Sequence, residues 1–380
     1  MLELNLYINY LVANSRIRQY NGSKPTVRSF LIMARITAKD IAAKLGISPA
    51  AVSLALNGRP GVSENTRAMV LEAAMQMGYA RQEGAVGNRQ PRTLCFVRFA
   101  GNVVSVAEHT SFSSFVLQGI EARATELGYS TQVRYLTARD AYTPQNLDFL
   151  RQADGILFLG TDITQAQLAK LELFLQAIDN TPVVIIDNIL LSSRVDCVVN
   201  DCFGGAKSAV EYLIKTGHRK IGYIRAKHRL HNFQERERGI LAALEDAGKE
   251  LAVAIDVEVS SEGAFQDFDA WIKKHTDLPD AFFAENDIVA AAAIRVLKKH
   301  GYNVPGDVSV IGFDDIPTCE MLDPPLSTVR CFKEEMGAVA VDMLHRRIKQ
   351  KEVPHRMANT ALLSTTLSTR FIPRFSVKKK

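Results

Sequence analysis

Short apolar runs that alternate with helical stretches decide what most of this chain can become. Asp154-Gly155-Ile156-Leu157-Phe158-Leu159 and Pro182-Val183-Val184-Ile185-Ile186-Asp187 are almost continuously apolar. A strand of that pattern is buried on both faces, as in a parallel sheet with helices over each side. Leu94–Phe99, Thr131–Leu136, Val195–Val199, Ile221–Ile224, 255–259, Ala281–Phe283 and Val308–Phe313 read as further strands. Helices are expected over Phe112–Leu127, 165–178, 204–216, 235–247, 265–275 and 287–300. This is βαβ repetition, so α/β with right-handed crossovers. There are too many units for one comfortable sheet, and two similar parallel sheets side by side are the better expectation. The 380 residues leave room for a small head on a two-lobed body, because one core rarely grows past roughly 250–300 residues.

The head is read from Arg35 to Ala80. Thr37 can cap a first helix, with Asp40 three residues later returning the bond. Ile41, Ala42 and Leu45 follow at helical spacing, and Gly46 supplies the tight turn of a helix-turn-helix. Ser48 caps a second helix, and Pro49 suits its first position because its missing N–H is not needed there. Val52, Ala55 and Leu56 point to a shared core. A third helix from Ser63 buries Val70, Ala74 and Met77. Two short helices so spaced let the second lie in the major groove of duplex DNA while the first braces it across the backbone. By spacing alone, a helical hairpin inside a larger core would look the same.

Charge separates the two parts. The net +5 is made of +3 over residues 1–34, +4 over 35–92, +4 over 371–380 and −6 over 93–370. A basic head on an acidic body suits attraction to phosphates without the body adhering to DNA. Five scattered cysteines, with no Cys-x-x-Cys pair, read as reduced thiols rather than a metal or disulfide framework. No apolar run approaches the ~18 residues of a membrane helix. In residues 1–34, Glu3 precedes the apolar patch where a signal peptide would be basic, and a Gly-Ser-Lys-Pro turn with no clear period reads as a disordered extension. Met33 is a candidate start just before the head, and a basic arm adding phosphate contacts is the other reading.

The head resembles the headpiece of the lactose-repressor (LacI/GalR) family. The resemblance is carried by Thr37, Asp40-Ile41-Ala42, Gly46-Ile47-Ser48, Val52-Ser53, Leu56-Asn57-Gly58, Val62-Ser63, Thr66-Arg67 and Gly78-Tyr79. It implies that Pro49, Ala50 and Leu54 sit where the family reads bases. It also implies that Ser48, Ser53, Asn57 and Arg67 face the sugar-phosphate backbone, with Arg59 and Thr66 at the same surface. The body is similar to the family too, through Asp201 with Gly205-Ala206, Gly217-His218-Arg219-Lys220-Ile221, Arg236-Glu237-Arg238-Gly239, Glu285-Asn286-Asp287, Val308 to Asp315, Pro325 to Val329 and Arg370. The resemblance implies the two-lobed fold of type I periplasmic sugar-binding proteins. The lobes are expected over 93–199 with 330–354, and 200–328 with 355–375, followed by a basic tail, 376–380. Residues 81–92 are the linker, in the place of the family's DNA-kinking hinge helix. It has two glycines, and no leucine lies between Leu71 and Leu94. Weaker bending of DNA is therefore expected, with Val86 the candidate wedge.

In such sheets, ligands bind beyond the carboxyl ends of strands. Asp187 and Asp314 end apolar strands, Asn286 follows one, and Arg236 opens a helix. A carboxylate, an amide and a guanidinium in one cleft can hold a polyhydroxyl ligand in fixed directions. Phe112 and Phe313 could pack on the CH face of a sugar. The resemblance puts effector contacts at Arg236, Asn286, Asp314, Phe112 and Asp187. Capping or a turn would equally explain Asp314-Asp315, and a surface ion pair Arg236. The His228/His231 pair lacks further ligands at zinc spacing, Gly204-Gly205 reads as strand-to-helix packing, and Trp271 as core. No nucleophile–base arrangement appears.

The expected protein is thus a DNA-binding transcriptional regulator, a repressor and not an enzyme, without a cofactor. It acts in the cytoplasm on palindromic double-stranded operator DNA. It works as a homodimer or larger, with a carbohydrate effector between its lobes and no membrane partner. Residues Met336, Val339, Val341, Met343 and Leu344 of a helix over Cys331–Gln350 are expected at the hinge and dimer face. A phosphocarrier protein as co-regulator, or a transporter's solute-binding protein, are the alternatives.

Overall fold

The computed structural model describes residues 37–56, 61–77, 92–100, 110–137, 141–178, 180–190, 195–351 and 361–380. The extension at 1–34, Asn57, Arg59 and the linker with Val86 lie outside them. The chain divides into two compact units, the first ending at Asn88 and the second starting at Arg89.

The first unit contains α1 (Ala38–Leu45), α2 (Pro49–Leu56) and α3 (Glu64–Gln76). Their ends are set as the sequence predicts. The Asp40 carboxylate accepts the Thr37 N–H at 2.7 Å. Bonds from the Thr37 hydroxyl and N–H hold its pKa below the ordinary carboxylate value. Gly46 takes φ 66° at the end of α1, a left-handed backbone that costs glycine little. Ser48 Oγ accepts the Ala51 N–H, and Ser63 Oγ the Thr66 N–H, each at 3.1 Å. Ile41, Val52 and Val70 are fully buried, with Ala42, Ala55, Leu56, Ala73 and Ala74 around them.

The second unit opens with β1 (Arg92–Ala100), α4 (Thr110–Glu126), β2 (Tyr129–Thr137), α5 (Pro144–Gln152) and β3 (Gly155–Leu159). It continues through α6 (Gln165–Ala177), β4 (Val183–Ile186) and β5 (Asp196–Asn200). These strands form a parallel sheet in the order β11-β5-β4-β3-β1-β2, with β11 (Ser364–Leu367) at one edge. Strands β3, β4 and β5 are buried at every position, which explains their largely apolar text. The second lobe runs through α7 (Cys202–Lys215), β6 (Ile221–Ala226), α8 (His231–Asp246), β7 (Val253–Val257) and α9 (Ser261–Ile272). Strand β8 (Ala281–Ala284), α10 (Asp287–Lys299) and β9 (Ser309–Ile311) follow. Its parallel sheet has the order β7-β6-β8-β9. Beside it, β10 (Thr328–Arg330) pairs antiparallel with β12 (Arg370–Ile372).

The chain passes between lobes three times. The first two crossings come after β5 and after β10. Residues 364–367 add β11 to the first lobe, so the return lies between Leu367 and Arg370 rather than near 355. Asp201 ties the first and third crossings together. Its N–H donates to Leu367 O at 2.8 Å, its carboxylate caps α7 through Gly204 N–H at 2.8 Å, and its carbonyl accepts the Thr369 hydroxyl at 3.1 Å. Gly204 packs against Asp201, and Gly205 against Thr369 and Val329, the strand-to-helix packing expected of them.

Helix α11 (Lys333–Lys351) lies along α4. A Cβ at Gly337 would overlap the Val116 carbonyl, and one at Gly119 the Glu334 carbonyl, so the two glycines set how closely these helices approach. This corrects the expectation that the apolar residues of α11 form a dimer face. Met336, Val341, Met343 and Leu344 are buried in the first lobe's own core, with Val339 packed against it. They cannot also meet a second chain. Trp271 packs at the edge of the second lobe's core, and all five cysteines are free and buried. The basic tail is docked: Lys380 N–H donates to Thr216 O at 2.9 Å and Lys378 N–H to Ser309 Oγ at 3.3 Å.

Candidate functional site

The head offers a recognition face. Helix α2 turns Val52, Ala55 and Leu56 inward, so helical geometry puts Pro49, Ala50 and Ser53 outward. All three are exposed, as is Ser48 before them. Leu54 is half-buried, and its Cδ1 leans on Gly61. Thr66 is half-buried at the start of α3, its hydroxyl 2.8 Å from Ser63 Oγ, and Arg67 beside it is half-buried. The outward groups of α2 therefore carry hydroxyls and apolar surface but no charge.

In the body, the cleft is built from strand ends and helix starts. Asp187 follows β4 and Asp314 follows β9, with φ of 63° and 107°. Non-glycine residues rarely adopt a left-handed backbone, and such strain collects at functional sites. Arg236, on the second turn of α8, is 3% exposed. Its Nη2 donates to Asp314 Oδ1 at 3.0 Å and its Nη1 to the Glu285 carbonyl. Its guanidinium lies 3.9 Å from the centroid of Phe313, a cation–π contact strengthened by burial.

Groups from opposite lobes meet here. Asn232 Nδ2 approaches Asp187 Oδ2 at 3.4 Å. Lys333 Nζ, at the start of α11, donates to the Asp314 carbonyl. Thr164 and Leu230 form a single antiparallel bridge. Burial pushes the Asp187 carboxyl up to about 7, against the opposing pull of the Thr161 hydroxyl and the Arg236 guanidinium. Asp187 can therefore act as donor or acceptor near neutral pH.

Arg236, Asp314 and Asp187 come together, and three of the other expected residues have partners of their own. Asn286 Oδ1 is taken up capping α10 through the Val289 N–H at 2.9 Å, which leaves only its amide NH2 for a ligand. Phe313 is fully buried under Arg236, so it supports the guanidinium instead of packing on a sugar. Phe112 is half-buried against the first lobe's core. Further partners in the site carry no signal in the sequence. Asn232 falls outside the expected helix, because α8 starts at His231, four residues before the expected start. Lys333 and the buried Glu285 join the site through contacts between elements far apart in the chain. Glu285 Oε2 accepts the Tyr223 hydroxyl at 2.8 Å and the Ala226 N–H at 3.0 Å, fixing the loop whose carbonyl receives Arg236.

A three-helix head with an exposed recognition face, followed by a two-lobed body with polar groups gathered where the lobes meet, defines a DNA-binding regulator responsive to a small molecule. Residues 37–82 match the bacterial regulatory proteins of the lacI family, and residues 210–374 match the periplasmic binding protein-like domain. The HTH-type transcriptional repressor PurR of Vibrio vulnificus (strain CMCP6) is 30% identical over 331 residues, covering 84% of this chain and 94% of the relative. That of Histophilus somni (strain 129Pt) is 28% identical over 328 residues, covering 84% and 95%. A solved complex of the transcriptional regulator CelR with cellobiose is similar at 27% identity and a TM-score of 0.62, over 90% of this chain and 100% of that one. The lac repressor dimer bound to operator and the anti-inducer ONPF shares the fold, at 21% identity and a TM-score of 0.64, over 90% and 99%. The chain belongs to the lacI family and is a DNA-binding transcriptional regulator.

Proposed function

We propose that this regulator represses transcription from a two-fold operator and that a carbohydrate-type ligand, bound at Arg236, Asp314 and Asp187, changes its grip on DNA. The carrying observation is the buried Arg236–Asp314 pair: it shares Asp314 with Lys333 of the other lobe, and Asn232 of its own helix meets Asp187. A ligand that takes over one of these bonds alters how the lobes are joined. Coupling of about 1–3 kcal/mol would change operator affinity 5- to 150-fold. The cellobiose bound by the CelR relative supports a polyhydroxyl effector, and the PurR relatives support repression.

One head makes few contacts with DNA, so paired half-sites read by a homodimer follow. Base reading by Pro49, Ala50 and Leu54 is apolar, with Ser48, Ser53, Thr66 and Arg67 along the backbone. The ligand is sensed and not turned over, and the setting is cytoplasmic DNA. No described helix is long and apolar enough to cross a membrane.

The test is a selection of duplexes from random DNA. Fluorescence anisotropy on the selected duplex then follows, with neutral, acidic and phosphorylated sugars added in turn. A palindromic consensus, and a ligand whose effect on affinity is lost in Arg236→Gln, are expected. Ligand effects unchanged in that variant would refute the cleft assignment.

A further inference from the structure

Three arginine or lysine side chains among the body's described residues are buried: Arg98, Arg236 and Lys333, at 6%, 3% and 6% exposure. Arg236 pairs with the Asp314 carboxylate and donates to the Glu285 carbonyl, and Lys333 donates to the Asp314 carbonyl. Among the described residues Arg98 has neither a carboxylate nor a carbonyl. Its hydrogen bond runs from Nη1 to the Ser113 hydroxyl at 3.3 Å, and among the described residues no carboxylate pairs with it. A buried cation is ordinarily paired, because an isolated charge loses its hydration without compensation.

The placement of Arg98 makes this informative. Leu94 and Phe96 face the core that α4 and α11 cover, whereas Cys95 and Val97 face the opposite core. Alternation along β1 therefore directs Arg98 toward α4, where it meets Ser113 in the first turn. Arg98 also stands near the carboxyl end of β1, the edge of the sheet on which Asp187 ends β4. The start of α4 belongs to the junction of the lobes: Phe115 lies 6.0 Å from Lys333 Nζ, which donates to Asp314, the partner of Arg236. The Arg98 guanidinium is thus on the first-lobe side of the effector cleft. It adjoins the start of a 17-residue helix, the end of a helix that favours negative charge.

We propose that the effector is anionic, a polyol carrying a carboxylate or a phosphate, and that Arg98 binds its charged group. This rests on the reading of the cleft as the effector site. The second-lobe pair Arg236–Asp314 holds hydroxyls, since its charges already cancel. Arg98 supplies the positive charge with which a planar fork of donors grips an oxyanion.

The experiment uses the full chain, free of DNA, in thermal melts at fixed ionic strength with sodium phosphate replacing sodium chloride. Wild type should gain thermal stability with phosphate concentration, Arg98→Lys should retain part of the gain, and Arg98→Met should lose it. Ligand-free Arg98→Met should melt no lower than wild type, because the removed charge has no carboxylate partner among the described residues; a structural role would lower its melting temperature. Equal phosphate gains in wild type and Arg98→Met would overturn the proposal. Calorimetry with glucuronate, glucose 6-phosphate, glucose and cellobiose then separates the sources. Binding by the uronate or by the phosphate, weakened at least tenfold in Arg98→Met, assigns the group. A neutral sugar bound equally by both proteins overturns the anionic effector but leaves the cleft standing. Binding of any of these sugars that survives Arg236→Gln unchanged removes the cleft reading instead.

Discussion

Substituting Asp187 by asparagine should make the ligand-free protein more stable in a pH-dependent manner. Burial pushes the Asp187 carboxyl up to about 7, from an ordinary value of 3.8. Below pH ~4 the carboxyl holds its proton in both the folded and the unfolded chain, so its ionisation costs nothing there. As pH rises from 4 to 7, the unfolded chain ionises and the folded chain does not, and the native state loses stability by linkage. Above 7 both are ionised and the loss is complete. At 1.36 kcal/mol for each pH unit of that window, the ceiling is about 4 kcal/mol. Asparagine never ionises and tolerates the left-handed backbone at this position. The contacts it weakens are the long bond from Asn232, at 3.4 Å, and that with the Thr161 hydroxyl.

The assay is thermal and urea unfolding of wild type and Asp187→Asn, without ligand or DNA, followed by far-ultraviolet circular dichroism between pH 4 and 8. The melting temperature of Asp187→Asn should lie close to wild type near pH 4 and pull ahead by about 5–10 °C at pH 7, then run parallel to it. Asp287, also pushed up to about 7 by burial and by the neighbouring Asp314 charge, is present in both proteins and drops out of the difference. A constant difference across this range would rule out the raised Asp187 carboxyl, as would a variant that loses ground as pH rises.

Other expectations follow from packing and from the recognition face. Gly337→Ala should destabilise the body by about 1–3 kcal/mol, as overpacking does, read as a lower urea midpoint. Its new Cβ must push α11 away from the Val116 carbonyl. Asp201→Ala removes the α7 cap to Gly204 and should cost about 1 kcal/mol in the same measurement. Arg67→Ala should lower the salt slope of DNA binding by about one unit without changing the preferred sequence. Leu54→Ala should instead relax the consensus recovered from random DNA at the positions that Leu54 meets.

The strands most legible in the sequence are those buried on both faces. In β3 and β4 the text is apolar throughout because every position is covered. Strand β11 is illegible because its burial alternates between exposed and half-buried, so Ser364 to Leu367 carries no apolar signature. Its place in the first lobe is fixed by pairing with β5, 167 residues away at Cys197 and Ser364. Helix α5 is short and polar, though Thr143 before Pro144 is a start signal that could have revealed it. In the cleft, Asp187 and Asp314 are found because an acidic residue ending an apolar run is visible in one line of text. Asn232 and Lys333 become site residues only when the lobes meet. Arg98 stands in plain view as the single charge in Leu94–Phe99, but its lack of a carboxylate partner among the described residues is a property of the folded chain.

The most direct measurement is the affinity of the full chain for its selected duplex, titrated with salt and with the best-binding sugar, in wild type and Arg236→Gln. Tight, salt-sensitive binding by both proteins is expected, with a ligand response of about 5- to 150-fold in wild type alone. Failure of wild type to prefer any duplex sequence, or an equal ligand response in both proteins, would contradict a regulator whose grip on DNA is set at Arg236.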